Sequence, residues 1–318
     1  MRIVIALGGN AMTSADGRAT PADQQSAIQQ AAEPIADLVL AGHDVLLTHG
    51  NGPQVGNLLV KNELTAGHVP PVPLDWCGAQ TQGTIGMLLL NALDAAFAAR
   101  GMERPTAALV SRTLVDSQDP GFANPTKPIG RYLTEESTRP LVEQGQSFVE
   151  IADRGWRRVV PSPAPIDCLD SASAAQLMDA GFVVVCSGGG GIPTVREADG
   201  RLTGVEAVID KDLTAGLIAQ QVGADILVIA TDVDSVIADW GTDRARPIGE
   251  VTVDEMHQIA AEQGFAEGSM GPKVAAVTSF AESGSGIGVI TSLTKIAHAV
   301  DGEAGTRVVP ASTLHPAH

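Results

Sequence analysis

Short apolar runs, several of them entering a glycine loop, recur along the chain and predict strands. Residues 2–7 run into Gly8-Gly9, and residues 45–47 lead towards Gly50. Runs that are short and continuously apolar are typical of strands buried in a parallel sheet. The predicted strands are residues 2–7, 45–47, 106–111, 182–186, 226–230 and 287–291.

Segments of helical character separate these strands. Thr20 followed by Pro21 predicts an N-cap with proline at the first helical position, and this helix should end near Gly42. Asp75 is expected to cap a long helix rich in alanine and leucine that stops at Gly101. Further helices are predicted to begin at about residues 53 and 210 and to span residues 252–263 and 272–282.

The region of residues 117–171 differs from the repeating pattern. It contains seven prolines and a predicted hairpin at Asp153-Arg-Gly155, which indicates an insertion with its own small sheet and helix. A second hairpin is predicted at Asp199-Gly200. We predict an α/β fold: a three-layer αβα sandwich around an open, mostly parallel sheet, with lobes of residues 1–205 and 206–318 and an inserted subdomain at about residues 117–171.

Composition narrows the functional classes. The net charge of −17 argues against a nucleic-acid or anionic-membrane surface, so an anionic substrate would need local positive groups and backbone N–H groups. The three cysteines, Cys77, Cys168 and Cys186, form no Cys-x-x-Cys pair and are expected to be reduced thiols. No run approaches membrane-spanning length, and the first apolar run is too short for a signal peptide, so we expect a soluble cytoplasmic protein.

Four glycine-dense loops follow predicted strands or precede predicted helices. Ligands of open parallel sheets bind beyond the carboxyl ends of the strands, where glycine lets backbone N–H groups converge on an anion. Neither a dinucleotide-binding motif nor a Walker A motif fits the glycine spacing. The loops are Gly8-Gly-Asn10, Gly50-Asn-Gly52, Gly188-Gly-Gly-Gly191 and Gly268-Ser-Met-Gly271.

Lysine is scarce: the chain has five lysines and fifteen arginines. Lys127, Lys211 and Lys273 lie in loops rich in Gly, Pro and Asp, whereas Lys61 and Lys295 have ordinary contexts. A compact ammonium retained in such loops suits contact with a phosphoryl oxygen, although a genome poor in lysine would leave the same pattern by chance.

The sequence Asp210-Lys211-Asp212 at a helix start sharpens the phosphate hypothesis. Acids there are explained by capping, but a cation in the first turn is mildly unfavourable, and a bound phosphate would offset its cost. The acids of residues 231–234 either form a turn or face the sugar or metal of a nucleotide. His49 is assigned a structural role in preference to a chemical one. No nucleophile motif is present, and phosphoryl transfer requires none because it depends on positioning and charge neutralisation.

Together these segments resemble carbamate kinases, members of the amino-acid-kinase family, over nearly the whole chain to about Val309. Residues 48–56 and 124–130 carry the part specific to the carbamate branch. Many members of the wider family have a lysine where this chain has Ala6, and Lys211 is expected to supply that charge. The matching segments are Ala6-Leu-Gly-Gly-Asn-Ala11, Thr48-His-Gly-Asn-Gly-Pro-Gln-Val-Gly56, Asn124-Pro-Thr-Lys-Pro-Ile-Gly130, Val159-Val-Pro-Ser-Pro163, Ser187-Gly-Gly-Gly-Gly-Ile-Pro193, Val208-Ile-Asp-Lys-Asp212 and Gly268-Ser-Met-Gly-Pro-Lys273.

The resemblance implies reversible phosphoryl transfer between ATP and carbamate with Mg²⁺, giving ADP and carbamoyl phosphate. It implies an enzyme that forms ATP in arginine catabolism and is usually a homodimer. Alternatives are another small-acid kinase of this fold or a nucleotide-binding sensor without activity. The implied carbamate-binding lobe is residues 1–205, and the implied nucleotide-binding lobe is residues 206–318.

The resemblance also implies roles for individual residues. Lys211 and Lys273 would stabilise the transferring phosphoryl group, Asp212 would orient them, and Lys127 would lie on a subdomain that projects over the site. The substrate and phosphate would bind at Gly8, Gly9, Asn10, Gly50, Asn51, Gly52, Gly188 and Gly189. The nucleotide would bind at Thr231, Asp232, Val233, Asp234, Gly268, Ser269, Met270 and Gly271.

Overall fold

A computed structural model describes residues 1–9, 20–143, 145–265 and 269–310. Its helices are α1 (Pro21–Leu40), α2 (Gly52–Thr65), α3 (Leu74–Ala99), α4 (Glu135–Glu143), α5 (Ser171–Asp179), α6 (Lys211–Gln221), α7 (Val253–Gln263), α8 (Met270–Glu282) and α9 (Ile296–Val300). Its strands are β1 (Arg2–Leu7), β2 (Asp44–His49), β3 (Thr106–Ala108), β4 (Arg112–Val115), β5 (Lys127–Leu133), β6 (Ser147–Ile151), β7 (Gly155–Val160), β8 (Pro165–Cys168), β9 (Val183–Val185), β10 (Ile192–Arg196), β11 (Leu202–Gly204), β12 (Ile226–Thr231), β13 (Ile237–Ala238), β14 (Arg246–Pro247), β15 (Glu250–Thr252), β16 (Ile287–Ser292) and β17 (Thr306–Val309).

One eight-stranded sheet organises the molecule, in the order β15-β17-β16-β12-β1-β2-β9-β3. The six strands from β16 to β3 are parallel, and β17 and β15 run in the opposite direction at one edge. The central pairing of β1 with β12 joins strands from the two predicted lobes into one continuous sheet. The mostly parallel sheet of the prediction is confirmed, while a division at residue 205 stays a prediction.

Side chains of alternating strand positions build a core on each face of the sheet, as the period of two requires. Ile3, Ile5 and Leu7 pack with residues of α1, α3 and α9 on one face. Val4 and Ala6 pack with residues of α5, α6, α7 and α8 on the other. The three-layer αβα sandwich is therefore confirmed.

The region between β4 and α5 carries a second, separate sheet. Strands β5, β7 and β6 form it, with β6 and β7 joined by the predicted hairpin, and α4 lies between β5 and β6. The separate sheet covers residues 127–160, a narrower range than residues 117–171, because β4 and β8 pair instead with β10 and β11. We refer to β5, α4, β6 and β7 as the inserted subdomain.

Two predicted helix starts carry the expected side-chain cap, and a third does not. Thr20 caps α1 and Thr252 caps α7, each through a capping box in which the N3 carboxylate bonds back to the cap. Asp75 is not the cap of α3: the helix begins at Leu74 after Pro73, and Asp75 lies in its first turn. A carboxylate in the first turn still complements the helix dipole. The sequence therefore placed Asp75 correctly at the start of the helix but was wrong to make it the cap.

The predicted third strand is also shorter than expected. It ends at Ala108, and the backbone N–H of Ser111 donates to Oε1 of Gln82 at 2.9 Å. The N–H of Ser111 thus bonds to a side chain of α3 and not to a neighbouring strand. The apolar pattern of residues 106–111 does not reveal this.

Candidate active site

The glycine loops after β1 and β2 meet at the carboxyl end of the central sheet. The N–H of Gly8 donates to the carbonyl of Ala230 at 3.0 Å, which ties the first loop to the end of β12. A Cβ at Gly50 would lie 3.6 Å from the nitrogen of Gly9 and 3.5 Å from Cδ of Lys211. The two loops and the start of α6 therefore enclose one small region. Asn10, the last residue of the first loop, lies outside the described residues.

Lys211, Asp212 and Lys273 form a buried ionic cluster beside these loops. Nζ of Lys211 donates to Oδ1 of Asp212, and Nζ of Lys273 donates to Oδ2 at 3.0 Å. The Asp212 side chain is 5% exposed, and each lysine side chain is 15% exposed. Three residues that the sequence predicts as catalytic thus lie together: two lysines share the carboxylate of the third, which holds their ammonium groups next to each other.

Opposing effects set the protonation of this cluster. Burial would raise the pKa of Asp212, but the charges of Lys211 and Lys273 outweigh it, and the pKa is lowered. Burial lowers the pKa of Lys211, and the nearby charge of Asp212 opposes that change. Asp212 is therefore an ionised carboxylate whose charge favours the charged form of Lys211.

Lys127 reaches the same region from the inserted subdomain. Its Nζ lies 2.8 Å from Oδ2 of Asp210, the N-cap residue of α6. The other oxygen, Oδ1, accepts the N–H groups of Asp212 at 2.9 Å and Leu213 at 3.4 Å. Sequence reasoning recognised that capping explains an acid at residue 210, but not its pairing with Lys127 across 83 positions.

The turn at Gly188–Gly191 is fixed by side chains that sequence reasoning missed. Nε2 of Gln82 donates to the carbonyl of Gly188 at 2.9 Å, and the hydroxyl groups of Thr113 and Thr214 donate to that of Gly190 at 2.9 Å and 3.1 Å. Ser187, just before the turn, adopts a left-handed φ of 54° that costs a non-glycine residue energy. Only the buried positions of these polar side chains, which a single sequence does not show, would have identified them.

The glycines of this turn allow other loops to approach closely. A Cβ at Gly188 would lie 2.2 Å from Nε2 of His49, and one at Gly189 would lie 2.1 Å from Nδ2 of Asn51. The third and second loops therefore touch, so the structure brings together the predicted substrate loops after β1, β2 and β9.

Asn51 precedes α2 but does not cap it. Its Nδ2 donates to the hydroxyl of Thr81 at 2.9 Å, and α2 starts without a side-chain cap although asparagine is a favoured capping residue. The first N–H groups of α2, which begins at Gly52, therefore receive no hydrogen bond from the side chain of the cap residue. A helix start of this type suits an anion.

His49 is a buried, neutral member of the site. Burial lowers its pKa to about 4, and the positive charge of Lys211 adds to the effect. The carbonyl of Gly50 lies 2.9 Å from Nδ1 and accepts a hydrogen bond, so Nδ1 carries the proton and Nε2 does not. Its bond to the loop backbone agrees with the structural role predicted for it.

The predicted nucleotide residues lie on the half of the sheet formed by β12 and β16. The hydroxyl of Thr231 donates to Asp232 at 3.0 Å. Lys295, one of the two lysines assigned an ordinary context, forms a half-exposed surface ion pair with Asp234 at 2.7 Å. Val233 lies between these two acids and is half-buried.

The other predicted nucleotide segment leads into α8. Ser269 is the N-cap residue of α8, and Met270 is its first residue. Gly271 lines a groove of about 340 Å³ between α7 and α8. Gly268 lies outside the described residues.

The described part of the chain bears on three further possibilities: a metal site, a membrane-spanning helix and a reactive cysteine. No group of three or more His, Cys, Asp and Glu side chains there is placed to hold a metal ion. None of the described helices combines the length and the apolar character that crossing a membrane requires. All three cysteines are buried and unpaired, and burial raises the pKa of Cys168 to about 12, which makes it an unreactive thiol.

The arrangement suits stabilisation of a transferring phosphoryl group. Two fixed ammonium groups and adjacent glycine backbones offer positive charge and N–H donors in a site where little water competes. Phosphoryl transfer asks for little else from a protein, because positioning and electrostatic stabilisation provide most of the catalysis.

Comparison with known proteins agrees with this chemistry. A model described as the amino acid kinase family matches residues 1–292. The chain therefore belongs to the amino acid kinase family. It is similar to the carbamate kinase of Thermococcus kodakarensis, with 45% identity over 314 residues that cover 97% of this chain and 99% of that protein.

Solved structures are also similar to this chain over almost its whole length. A structure from Aeropyrum pernix K1 has a TM-score of 0.94 and 39% identity, covering 98% of this chain and 100% of that one. A carbamate kinase from Giardia lamblia bound to AMP-PNP has a TM-score of 0.91 and 40% identity, covering 97% of this chain and 98% of that one. The family resemblance inferred from the motifs is confirmed, including its extent along the chain.

Proposed function

We propose that this protein is a carbamate kinase, transferring a phosphoryl group reversibly between ATP and carbamate to give ADP and carbamoyl phosphate. The observation that carries the proposal is the buried cluster in which Lys211 and Lys273 share the carboxylate of Asp212 beside the substrate loops. The similarity to proteins named carbamate kinase, over almost the full length, supports the choice of acceptor.

The two lysines neutralise the charge of the phosphoryl group while it moves between donor and acceptor. Asp212 holds both ammonium groups in place before the substrate arrives, so little reorganisation is needed during the reaction. Because the transition state is loose, with charge spread over the equatorial oxygens, fixed cations stabilise it without forming a covalent bond.

Carbamate is small enough to bind almost entirely to backbone and neutral groups. The side chains nearest the loop glycines Gly50, Gly188 and Gly189 are those of Lys211, His49 and Asn51. Lys211 is the one charged group among these three, whereas an amino-acid substrate would call for a group such as an arginine fork aimed at its α-carboxylate. We assign carbamate binding to residues 1–205 and nucleotide binding to residues 206–318.

Mg²⁺ enters with the nucleotide as part of the substrate. Mg²⁺ keeps several waters and commonly binds through one or two carboxylates together with substrate phosphates. Because Asp212 is already paired with two lysines, we propose that substrate phosphates and water hold most of the ion's coordination sphere. When bound, the ion neutralises phosphate charge.

The direct test mixes the protein with Mg-ADP and carbamoyl phosphate and measures ATP by a coupled luminescent assay. We expect ATP to form well above the uncatalysed background. Absence of ATP would reject the proposal. A panel of small acids as acceptors in the reverse direction would then detect another kinase of this fold, and thermal stabilisation by nucleotide without turnover would indicate a sensor.

In the cell we propose that the enzyme works in the cytoplasm and forms ATP in arginine catabolism. The test is deletion of the gene, followed by measurement of ATP yield and carbamoyl phosphate during growth on arginine. An unchanged ATP yield and carbamoyl phosphate pool would reject this role.

We also propose that the protein is a homodimer, with α3 in the interface. Trp76 and Met87 are 63% and 52% exposed, and their spacing of eleven residues places them on one face of this helix. Val110, just beyond the neighbouring edge strand β3, is 64% exposed. Light scattering should give twice the chain mass, and Met87→Lys should shift the protein towards the monomer. A monomeric wild-type protein would reject the proposal.

A further inference from the structure

Asp210 divides its carboxylate between two tasks. One oxygen caps α6 by accepting the N–H groups of Asp212 and Leu213, at 2.9 Å and 3.4 Å. The other accepts the ammonium of Lys127 at 2.8 Å. The first task fixes the start of the helix that carries the catalytic cluster, and the second fixes the end of a strand of the inserted subdomain. One side chain thus connects the two.

The packing contacts of strand β5, which begins at Lys127, involve its backbone and apolar side chains and do not fix the ammonium of Lys127. Farther along the strand, Ile129 packs into an apolar cluster with Val55 and Leu59 of α2. A Cβ at Gly56 would lie 3.6 Å from Cα of Gly130, so α2 and β5 nearly touch at that point. These contacts locate the strand but do not direct a flexible side chain at its first residue.

A second ion pair of β5 joins this strand to α2 and lies away from the catalytic cluster. Arg131 pairs with Glu63 at 2.9 Å, and these side chains are 51% and 29% exposed. The Lys127–Asp210 pair is less exposed, at 34% and 14%. It is therefore screened less by water, and its loss should matter more.

The charges around Asp210 form an alternating chain. Lys127 pairs with Asp210, whose cap fixes Asp212, which in turn pairs with Lys211 and Lys273. Three positive and two negative charges leave a local charge of +1 in a protein with a net charge of −17. Without Asp210, the ammonium of Lys127 would have no fixed position within this set.

We infer that Asp210 is a positioning residue for phosphoryl transfer: it holds Lys127 of the inserted subdomain at the start of α6. Asp210 acts through Lys127 and need not touch the substrate. The inference rests on the proposed function and adds to it a residue that the family resemblance did not supply.

The main test is a double-mutant cycle measured as kcat and KM for carbamoyl phosphate. Asp210→Asn keeps an oxygen for the helix cap but removes the charge that holds Lys127. We expect a loss in kcat/KM of about tenfold, equivalent to about 1.4 kcal/mol, with an unchanged melting temperature. In a Lys127→Met background, the same substitution should cause no further loss.

Two outcomes would overturn the inference. If the losses from Asp210→Asn and Lys127→Met multiply in the double variant, Asp210 does not act through Lys127. If Glu63→Gln causes a loss equal to that of Asp210→Asn, the ion pair only docks the subdomain. Asp210→Ala separates the tasks further, because it should also lower the melting temperature through loss of the cap.

A second measurement does not depend on activity and so distinguishes failure of this inference from failure of the proposed function. With five lysines in the chain, mass spectrometry can follow acylation of each amine by an acetylating reagent. Lys127 should be acylated several-fold faster in Asp210→Asn than in the wild type, because the ion pair holds its nitrogen against the carboxylate and away from the reagent. The exposed Lys61 serves as the internal control and should not change. An equal rate at Lys127 in both proteins would show that the pair does not form in solution.

Discussion

Asp212→Asn tests the central claim about the candidate active site. The substitution preserves the shape of the side chain and removes the charge that two ammonium groups share. Lys273 lies 3.0 Å from one carboxylate oxygen, and Lys211 contacts the other. An asparagine can accept one hydrogen bond through its oxygen, but its NH₂ group would face the other lysine as a second donor.

The expected loss follows from burial. The lysine side chains are 15% exposed, so water can replace little of the lost interaction. Removing one partner of a buried ion pair costs about 3–5 kcal/mol of stability. Loss of one preorganised electrostatic group lowers turnover by roughly a hundredfold or more. We therefore expect kcat for ATP formation to fall at least a hundredfold and the free energy of unfolding to fall by about 3 kcal/mol.

The pH dependence provides a second, independent readout. Burial already lowers the pKa of Lys211, and the charge of Asp212 opposes that change. The variant loses that opposition, so the pKa of Lys211 should decrease further. Because the charged lysine is the active form, activity disappears as pH rises through this pKa. The alkaline limb of the pH profile should therefore move to lower pH in the variant.

The assay measures ATP from Mg-ADP and carbamoyl phosphate between about pH 6 and pH 10, a range that brackets the expected change. Asp37→Asn is the matched control, since it makes the same chemical change at an aspartate that is 57% exposed and pairs with Arg100. That control should stay within about twofold of the wild-type kcat, because a solvent-exposed aspartate contributes little and Glu33 still pairs with Arg100. A variant at Asp212 with its alkaline limb unmoved and more than about a tenth of the wild-type kcat would refute the reasoning.

Three further predictions address other parts of the site. Lys273→Ala should lower kcat for ATP formation roughly a hundredfold, whereas Lys61→Ala should leave it unchanged; equal losses would undo the argument from lysine scarcity. Gly189→Ala should abolish activity and lower the melting temperature, because its Cβ would lie 2.1 Å from a side-chain nitrogen at a φ of +68°. Gly67→Ala, whose Cβ would meet no atom within 4 Å, is its control in the same melting experiment. Gln82→Leu should destabilise the protein by about 1–3 kcal/mol in a denaturant titration, because it leaves the buried carbonyl of the Gly188 turn without its donor; an unchanged midpoint would contradict this.

Local patterns predicted the parts of the fold that local physics determines. The apolar runs located the main parallel strands. Thr20 was predicted as a helix cap and residue 252 as a helix start, and the structure has a capping box at each. Asp75 was misassigned because an acid is favoured in the first turn as well as at the cap. Local sequence does not separate these two positions.

Contacts between distant segments were beyond the reach of the sequence. Lys127 and Asp210 each stood out separately, but nothing in a single chain indicates that they meet across 83 positions. Gln82 lies within a helix rich in alanine and leucine, and only its burial at 4% reveals that it holds two loops. Such residues are recognised from packing, which depends on the whole fold.

The charge of the protein and the charge of its site have opposite signs, and distance explains how both can be tolerated. At physiological ionic strength, charges separated by more than about 8 Å are largely screened when they are exposed to solvent. The net charge of −17 is therefore a weak deterrent to an anion that has reached the sheet edge. There, the paired set of three lysines and two aspartates carries +1 at short range, with two of the lysines only 15% exposed. Under the proposed function, the lysines that form ion pairs at the start of α6 supply the local attraction for phosphate that the net charge of the whole chain does not provide.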